Sequence, residues 1–168
     1  MKMSNNVKKC VFAGTFDPPT LGHKAIVESC LGMFDEVVLC MMVNPQKQPF
    51  FTEEERFDML SLIFGKDERI TVKTFSGTVA EFLEKENTRY YIRGLRNGTD
   101  FDYENANFYA SRKLDKSIVA VYLPCPQELL HVSSSMVRSS LQFGTPIDEY
   151  VTEEVKEYIE KKFTAQGK

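Results

Sequence analysis

The chain has 168 residues, 42% of them apolar and 27% charged, with a formal net charge of −3. These proportions exclude a disordered chain and a coiled coil, and the length fits one domain over 1–168 better than two. A pI near 5.5 disfavours non-specific nucleic-acid binding, and no stretch approaches the roughly 20 apolar residues that span a bilayer.

Short apolar runs alternate with helix-period segments. Cys10-Val11-Phe12 reads as a first strand running into Gly14, and Leu21 to Met33 as a helix. Val37 to Val43 is nearly all apolar, as in a strand buried on both faces of a parallel sheet. Thr52-Glu53-Glu54-Glu55 is a capping-box sequence, and the spacing puts Phe57, Leu60 and Phe64 on one face of the helix that follows. Ile70 to Phe75 is a third strand; Thr78 to Glu86 is a helix with Val79, Phe82 and Leu83 inward. Tyr90-Tyr91-Ile92 is a fourth strand ending at Arg93-Gly94, followed by a helix over Asp100 to Lys113. Ser117 to Leu123 is a fifth strand, and Ser133 to Phe143 a helix stopped by Gly144. Val155, Tyr158, Ile159 and Phe163 line one face of a last helix at about 152–165. The alternation predicts a doubly wound, Rossmann-like α/β sandwich with a five-stranded, mainly parallel sheet.

In such folds ligands sit beyond the carboxyl ends of the strands. Residues just after strands are therefore the site candidates. Gly14 to His23 follows strand one and opens a helix, whose free N–H groups suit phosphate. His23 alone reads as a solvated turn histidine; in this ten-residue context it reads as a donor to a phosphoryl oxygen. Lys47, between Pro45 and Pro49 after strand two, is either a phosphate contact or a solvated loop lysine. Arg93-Gly94-Leu95-Arg96 at the end of strand four reads as a phosphate clamp. Glu104 sits among several acids and by itself reads as a solvated face. Ser133-Ser134-Ser135 opens a helix with Arg138 one turn on, which suits an anion site. A serine nucleophile lacks its GxSxG elbow. His131 reads as a packed loop side chain. Cys10, Cys30, Cys40 and Cys125 form no CxxC pair and read as buried thiols in a reducing compartment. With a polar N-terminus lacking a signal h-region, a cytoplasmic setting is expected. No metal-ligand cluster appears, so no residue is expected to ligate a metal. The site is expected to drive phosphoryl transfer by positioning and charge, without a covalent intermediate.

Thr20-Leu21-Gly22-His23, together with Ser133 to Arg138, resembles the paired signatures of the nucleotidyltransferase α/β phosphodiesterase superfamily. With Thr at position 20, Arg93 to Arg96 and Asp100 to Glu104, nearly the whole chain resembles the bacterial phosphopantetheine adenylyltransferase family. The resemblance implies the reaction ATP + 4′-phosphopantetheine → dephospho-coenzyme A + pyrophosphate, with Mg²⁺. It also implies a homohexamer and coenzyme A as a feedback ligand. By position, Thr15, Phe16 and His23 match the family's ATP contacts, with His23 stabilising the transition state. Gly94, Leu95, Arg96, Glu104 and the stretch Leu129, Leu130, His131, Val132, Ser133, Ser134 and Ser135 match further nucleotide contacts. Thr15, Lys47, Val79 and Arg93 match the acceptor side. His23, Lys47 and Arg96 are thereby implied as the catalytic groups. Ala13, Ser111 and Leu129 depart from residues common in that family (proline, asparagine and an aromatic). The Asp17-Pro18-Pro19 run also resembles nicotinate-mononucleotide adenylyltransferase, which makes nicotinate or nicotinamide mononucleotide the alternative acceptor. A non-catalytic nucleotide-sensing module is the reading from another class.

Overall fold

The predicted apolar runs become the strands of one parallel sheet. The computed structural model describes residues 7–44, 46 and 48–166. Its elements are β1 (Lys9–Gly14), α1 (Leu21–Leu31), β2 (Glu36–Met42), α2 (Glu53–Phe64), β3 (Ile70–Phe75), α3 (Val79–Lys85), β4 (Tyr90–Leu95), α4 (Gly98–Leu114), β5 (Val119–Pro124), a 3₁₀ turn (Gln127–Leu129), α5 (Ser134–Phe143) and α6 (Glu153–Gln166). The strand order is β3-β2-β1-β4-β5, and every pairing is parallel. The order reverses between β1 and β4, which opens a crevice at their carboxyl ends.

Side-chain alternation divides the interior. Cys10, Phe12, Leu39, Met41 and Ile92 pack with Ile26, Val27 and Cys30 of α1 and Leu60 and Phe64 of α2. Val11, Ala13, Val38, Cys40 and Tyr91 face the other way, onto Ala80, Phe82, Leu83 and Phe108 of α3 and α4. A third cluster joins Met59 of α2, Val137 of α5 and Val155 and Ile159 of α6 around Phe51. It packs α5 and α6 onto α2 and onto Phe50 and Phe51, which lead into α2.

Several boundaries move. β4 runs on through Arg93, Gly94 and Leu95, which pair with Tyr122, Leu123 and Pro124 of β5. The arginine and glycine therefore lie in the strand and not after it. β5 starts at Val119, because Ser117 is held in a turn by the Asp115 carboxylate. In α2 the inward face is Arg56, Met59, Leu60 and Phe64, and Phe57 is exposed. Leu60 and Phe64 lie on the inward face as expected, and Phe57 does not, because the buried Arg56 takes the inward position beside it. In α6, Phe163 is exposed while Lys162 reaches Glu55 and lies over the Phe51 ring. No described helix is long and apolar enough to cross a membrane.

Candidate active site

A cleft of about 520 Å³ opens over the ends of β1 and β4. Its floor is Gly14, Thr15 and Gly94. One wall is His23, Cys125, Val132 and Ser133 to Ser135, and the other is Val79, Tyr91, Arg93, Tyr103 and Glu104.

His23 stands in the first turn of α1, which Thr20 caps. The Thr20 hydroxyl accepts from the His23 backbone N–H, and the Thr20 backbone N–H donates to Nδ1 of His23 at 3.0 Å. Thr20 Oγ1 is 2.9 Å from the same Nδ1. A backbone N–H can only donate, so Nδ1 is an acceptor and the ring proton is on Nε2. The Nε2–H edge is then left for the cleft. Phe16 meets the imidazole edge-on at 5.0 Å and Phe12 lies 6.1 Å from it, fixing its plane. Burial, then the positive charges of Arg96 and Arg93, lower the His23 pKa from 6.5 to about 4. At neutral pH the ring is an uncharged donor.

The loop between β1 and α1 is fastened from three sides. Arg56 of α2 donates to the Thr15 carbonyl at 2.8 Å. Arg138 of α5 donates to the Asp17 carbonyl at 2.7 Å, and the Ser134 hydroxyl to the Pro18 carbonyl at 2.8 Å. The buried Asp17 carboxylate accepts from the backbone N–H groups of Phe50 and Phe51, both at 2.8 Å. This ties the loop after β1 to the loop after β2.

Arg93 points to the α3/α4 side of the sheet. Its Nη1 donates to the Ala13 carbonyl at 3.0 Å and to the Tyr91 hydroxyl at 2.7 Å, and its Nη2 pairs with Glu104. Nε of Arg93 and Oε2 of Glu104 are buried with no hydrogen-bond partner among the described residues. Polar atoms in that condition are costly. Arg96 lies just beyond β4, paired with Asp100 at 2.9 Å and half-exposed. The N-terminus of α5 also opens here, with the Ser133 hydroxyl accepting from the Met136 N–H.

The structure thus gathers Thr15, His23, Val79, Arg93, Gly94, Arg96, Glu104, Val132 and Ser133 to Ser135 in one cleft. Phe16 is buried behind His23, so its ring supports the histidine. Leu95, Leu129, Leu130 and His131 are not among the lining residues; His131 lies 6.0 Å from the Tyr150 ring. Lys47 lies outside the described residues. Gly94 has a packing role: a Cβ there would come within 2.9 Å of Ile26 Cγ1, so the glycine lets α1 approach β4. Arg56 and Tyr91 were not predicted. Arg56 follows a capping box in a segment read only for its apolar face, and Tyr91 reads as an ordinary strand aromatic.

Comparison with known proteins accords with this arrangement. Residues 11–140 match the cytidylyltransferase-like family model, and the chain belongs to that family. A phosphopantetheine adenylyltransferase from Desulfotalea psychrophila is 38% identical over 155 residues, covering 91% of each chain. One from Symbiobacterium thermophilum is 37% identical, covering 92% of this chain and 96% of the relative. Within the wider family, the chain thus groups with the phosphopantetheine adenylyltransferases. A solved structure described as a nicotinate-nucleotide adenylyltransferase from Vibrio parahaemolyticus superposes with a TM-score of 0.68 at 21% identity, over 92% of this chain and 93% of that one. At that identity the likeness speaks for the fold.

Proposed function

We propose that this cleft transfers the adenylyl group of ATP to the phosphate of 4′-phosphopantetheine, releasing pyrophosphate and forming dephospho-coenzyme A. The observation that carries the reading is the uncharged His23, its Nε2–H left for a cleft that also holds Arg93, Arg96 and the start of α5. A neutral donor held rigidly at that point strengthens its bond as charge grows on the α-phosphoryl oxygens.

In this reading the triphosphate lies along the His23, Arg96 and Ser133–Ser135 wall. The acceptor comes from the Val79, Arg93 and Glu104 side. Thr15, on the floor between them, faces both. The acceptor phosphate oxygen attacks the α-phosphorus in line and pyrophosphate leaves, so the enzyme supplies positioning and charge and forms no covalent intermediate. Lys47 is proposed as a further cation on the acceptor phosphate. Leu95 and the Leu129-to-His131 stretch are proposed to meet the nucleotide's outer surface.

Among the described residues no group of three His, Cys, Asp or Glu side chains is placed to hold a metal ion. Mg²⁺ fits such a site as a companion of the triphosphate, because it keeps several waters and takes most of its ligands from phosphates. It would neutralise phosphate charge there. The remaining proposals are coenzyme A as a competing feedback ligand, a cytoplasmic setting and a homohexamer. Sedimentation velocity tests the last by a mass six times that of the chain.

The functional test is pyrophosphate release from ATP with a panel of acceptors. 4′-Phosphopantetheine should support turnover, with dephospho-coenzyme A identified by mass. Preferential turnover of nicotinate mononucleotide would overturn the reading, as would nucleotide binding without turnover of any acceptor.

A further inference from the structure

Tyr91 and Arg93 stand two residues apart on β4, so both side chains leave the same face of the sheet. That face otherwise packs Val11, Ala13, Val38 and Cys40 against α3 and α4. A tyrosine buried in such a layer needs a partner for its hydroxyl. It finds one in the Nη1 of Arg93, which donates at 2.7 Å. The guanidinium carbon also lies 5.3 Å from the centre of the Tyr91 ring, so the same side chain supports the cation by its face. The Ala13 carbonyl fixes Nη1 from a second side, and Glu104 fixes Nη2. Held at these points, the guanidinium lines the cleft in one fixed orientation. A long flexible side chain is thereby made a preset cation of the cleft wall before any ligand arrives, which removes an entropic cost from binding.

We propose that Tyr91 is a positioning residue for the acceptor, acting through Arg93 and not through the nucleotide. This rests on the adenylyltransferase reading given above. Tyr91 is 6% exposed and its hydroxyl is committed to Arg93, so its effect on substrate runs through that arginine. Burial also raises its pKa above the usual value of 10.0, which keeps the phenol neutral across the working range.

The test is a double-mutant cycle with steady-state kinetics on the full chain. Tyr91→Phe keeps the ring and removes only the hydroxyl. It should raise KM for 4′-phosphopantetheine about 10-fold, the size expected for one bond to a charged group, and leave KM for ATP within about 2-fold. In an Arg93→Lys background the same change should have no further effect, because the geometry it sets is already gone. Thermal unfolding of Tyr91→Phe gives the second readout, a midpoint within a few degrees of wild type, separating positioning from general loosening. An unchanged acceptor KM, equal rises in both KM values, or a full effect in the Arg93→Lys background would overturn the proposal. Absence of turnover with 4′-phosphopantetheine in the wild type would instead remove the functional reading on which it rests.

Discussion

The backbone nitrogen of Thr20 lies 3.0 Å from Nδ1 of His23, so the residue that caps α1 also decides which imidazole nitrogen carries the proton. Helix start and donor are one construction. Thr20→Ala should lower stability by about 1 kcal/mol through the lost cap. It should also reduce kcat, because the Oγ1 contact to Nδ1 is lost. Thr20→Ser keeps the hydroxyl and should retain most of both. Thermal unfolding and steady-state rates on the two variants check this.

His23→Ala removes the donor itself. The expected loss in kcat is on the order of 100-fold or more, with a small change in KM for ATP, since the bond matters most when charge develops on the transferring group. A rate within 3-fold of wild type would show that His23 is not used in the transition state.

The depressed pKa of His23 sets a direction with pH. The unfolded chain takes up a proton near 6.5, whereas the native state resists it until about 4. The stabilisation is therefore complete above about 6.5 and is lost as pH falls toward 4. In a His23→Gln variant that part of the decline should vanish, read as urea midpoints from neutral to acidic pH. The His23 ring signal in NMR should titrate near 4 in the free protein, and higher once a triphosphate supplies negative charge.

Much of the arrangement was legible in the chain. Apolar runs gave the strands, and the rule that ligands sit beyond strand ends picked out Gly14 to His23 and Ser133 to Arg138, two segments from which Gly14, Thr15, His23, Ser133 to Ser135 and Arg138 line one cleft. Two kinds of information were not legible. One is partnership at a distance: Arg56 and Arg138 both reach carbonyls of the β1–α1 loop, and nothing local in either helix shows that. The other is strand parity. Reading Arg93-Gly94 as the end of β4 hid that Arg93 faces α4 while Gly94 faces Ile26 of α1.

That parity makes a prediction. Gly94→Ala should cost about 1–3 kcal/mol, because the new methyl meets the branched stem of Ile26 and not a flexible tip. Ile26→Ala should recover part of it in the double variant. Chemical denaturation of the two single variants and the double variant measures the coupling.

Asp17 offers a test of the tie between loops. Its carboxylate accepts two backbone N–H bonds, from Phe50 and Phe51. Asp17→Ala leaves both donors without that acceptor and should cost about 2–4 kcal/mol. Hydrogen exchange should show the loop after β2 losing protection before the sheet does.

The most direct test is a crystal structure with a non-hydrolysable ATP analogue. The account predicts an α-phosphoryl oxygen about 3 Å from Nε2 of His23, a hydrogen-bonded N–O separation, with Arg96 turned from Asp100 toward the phosphates. A nucleotide bound away from the carboxyl ends of β1 and β4, with Nε2 of His23 facing only solvent, would contradict it.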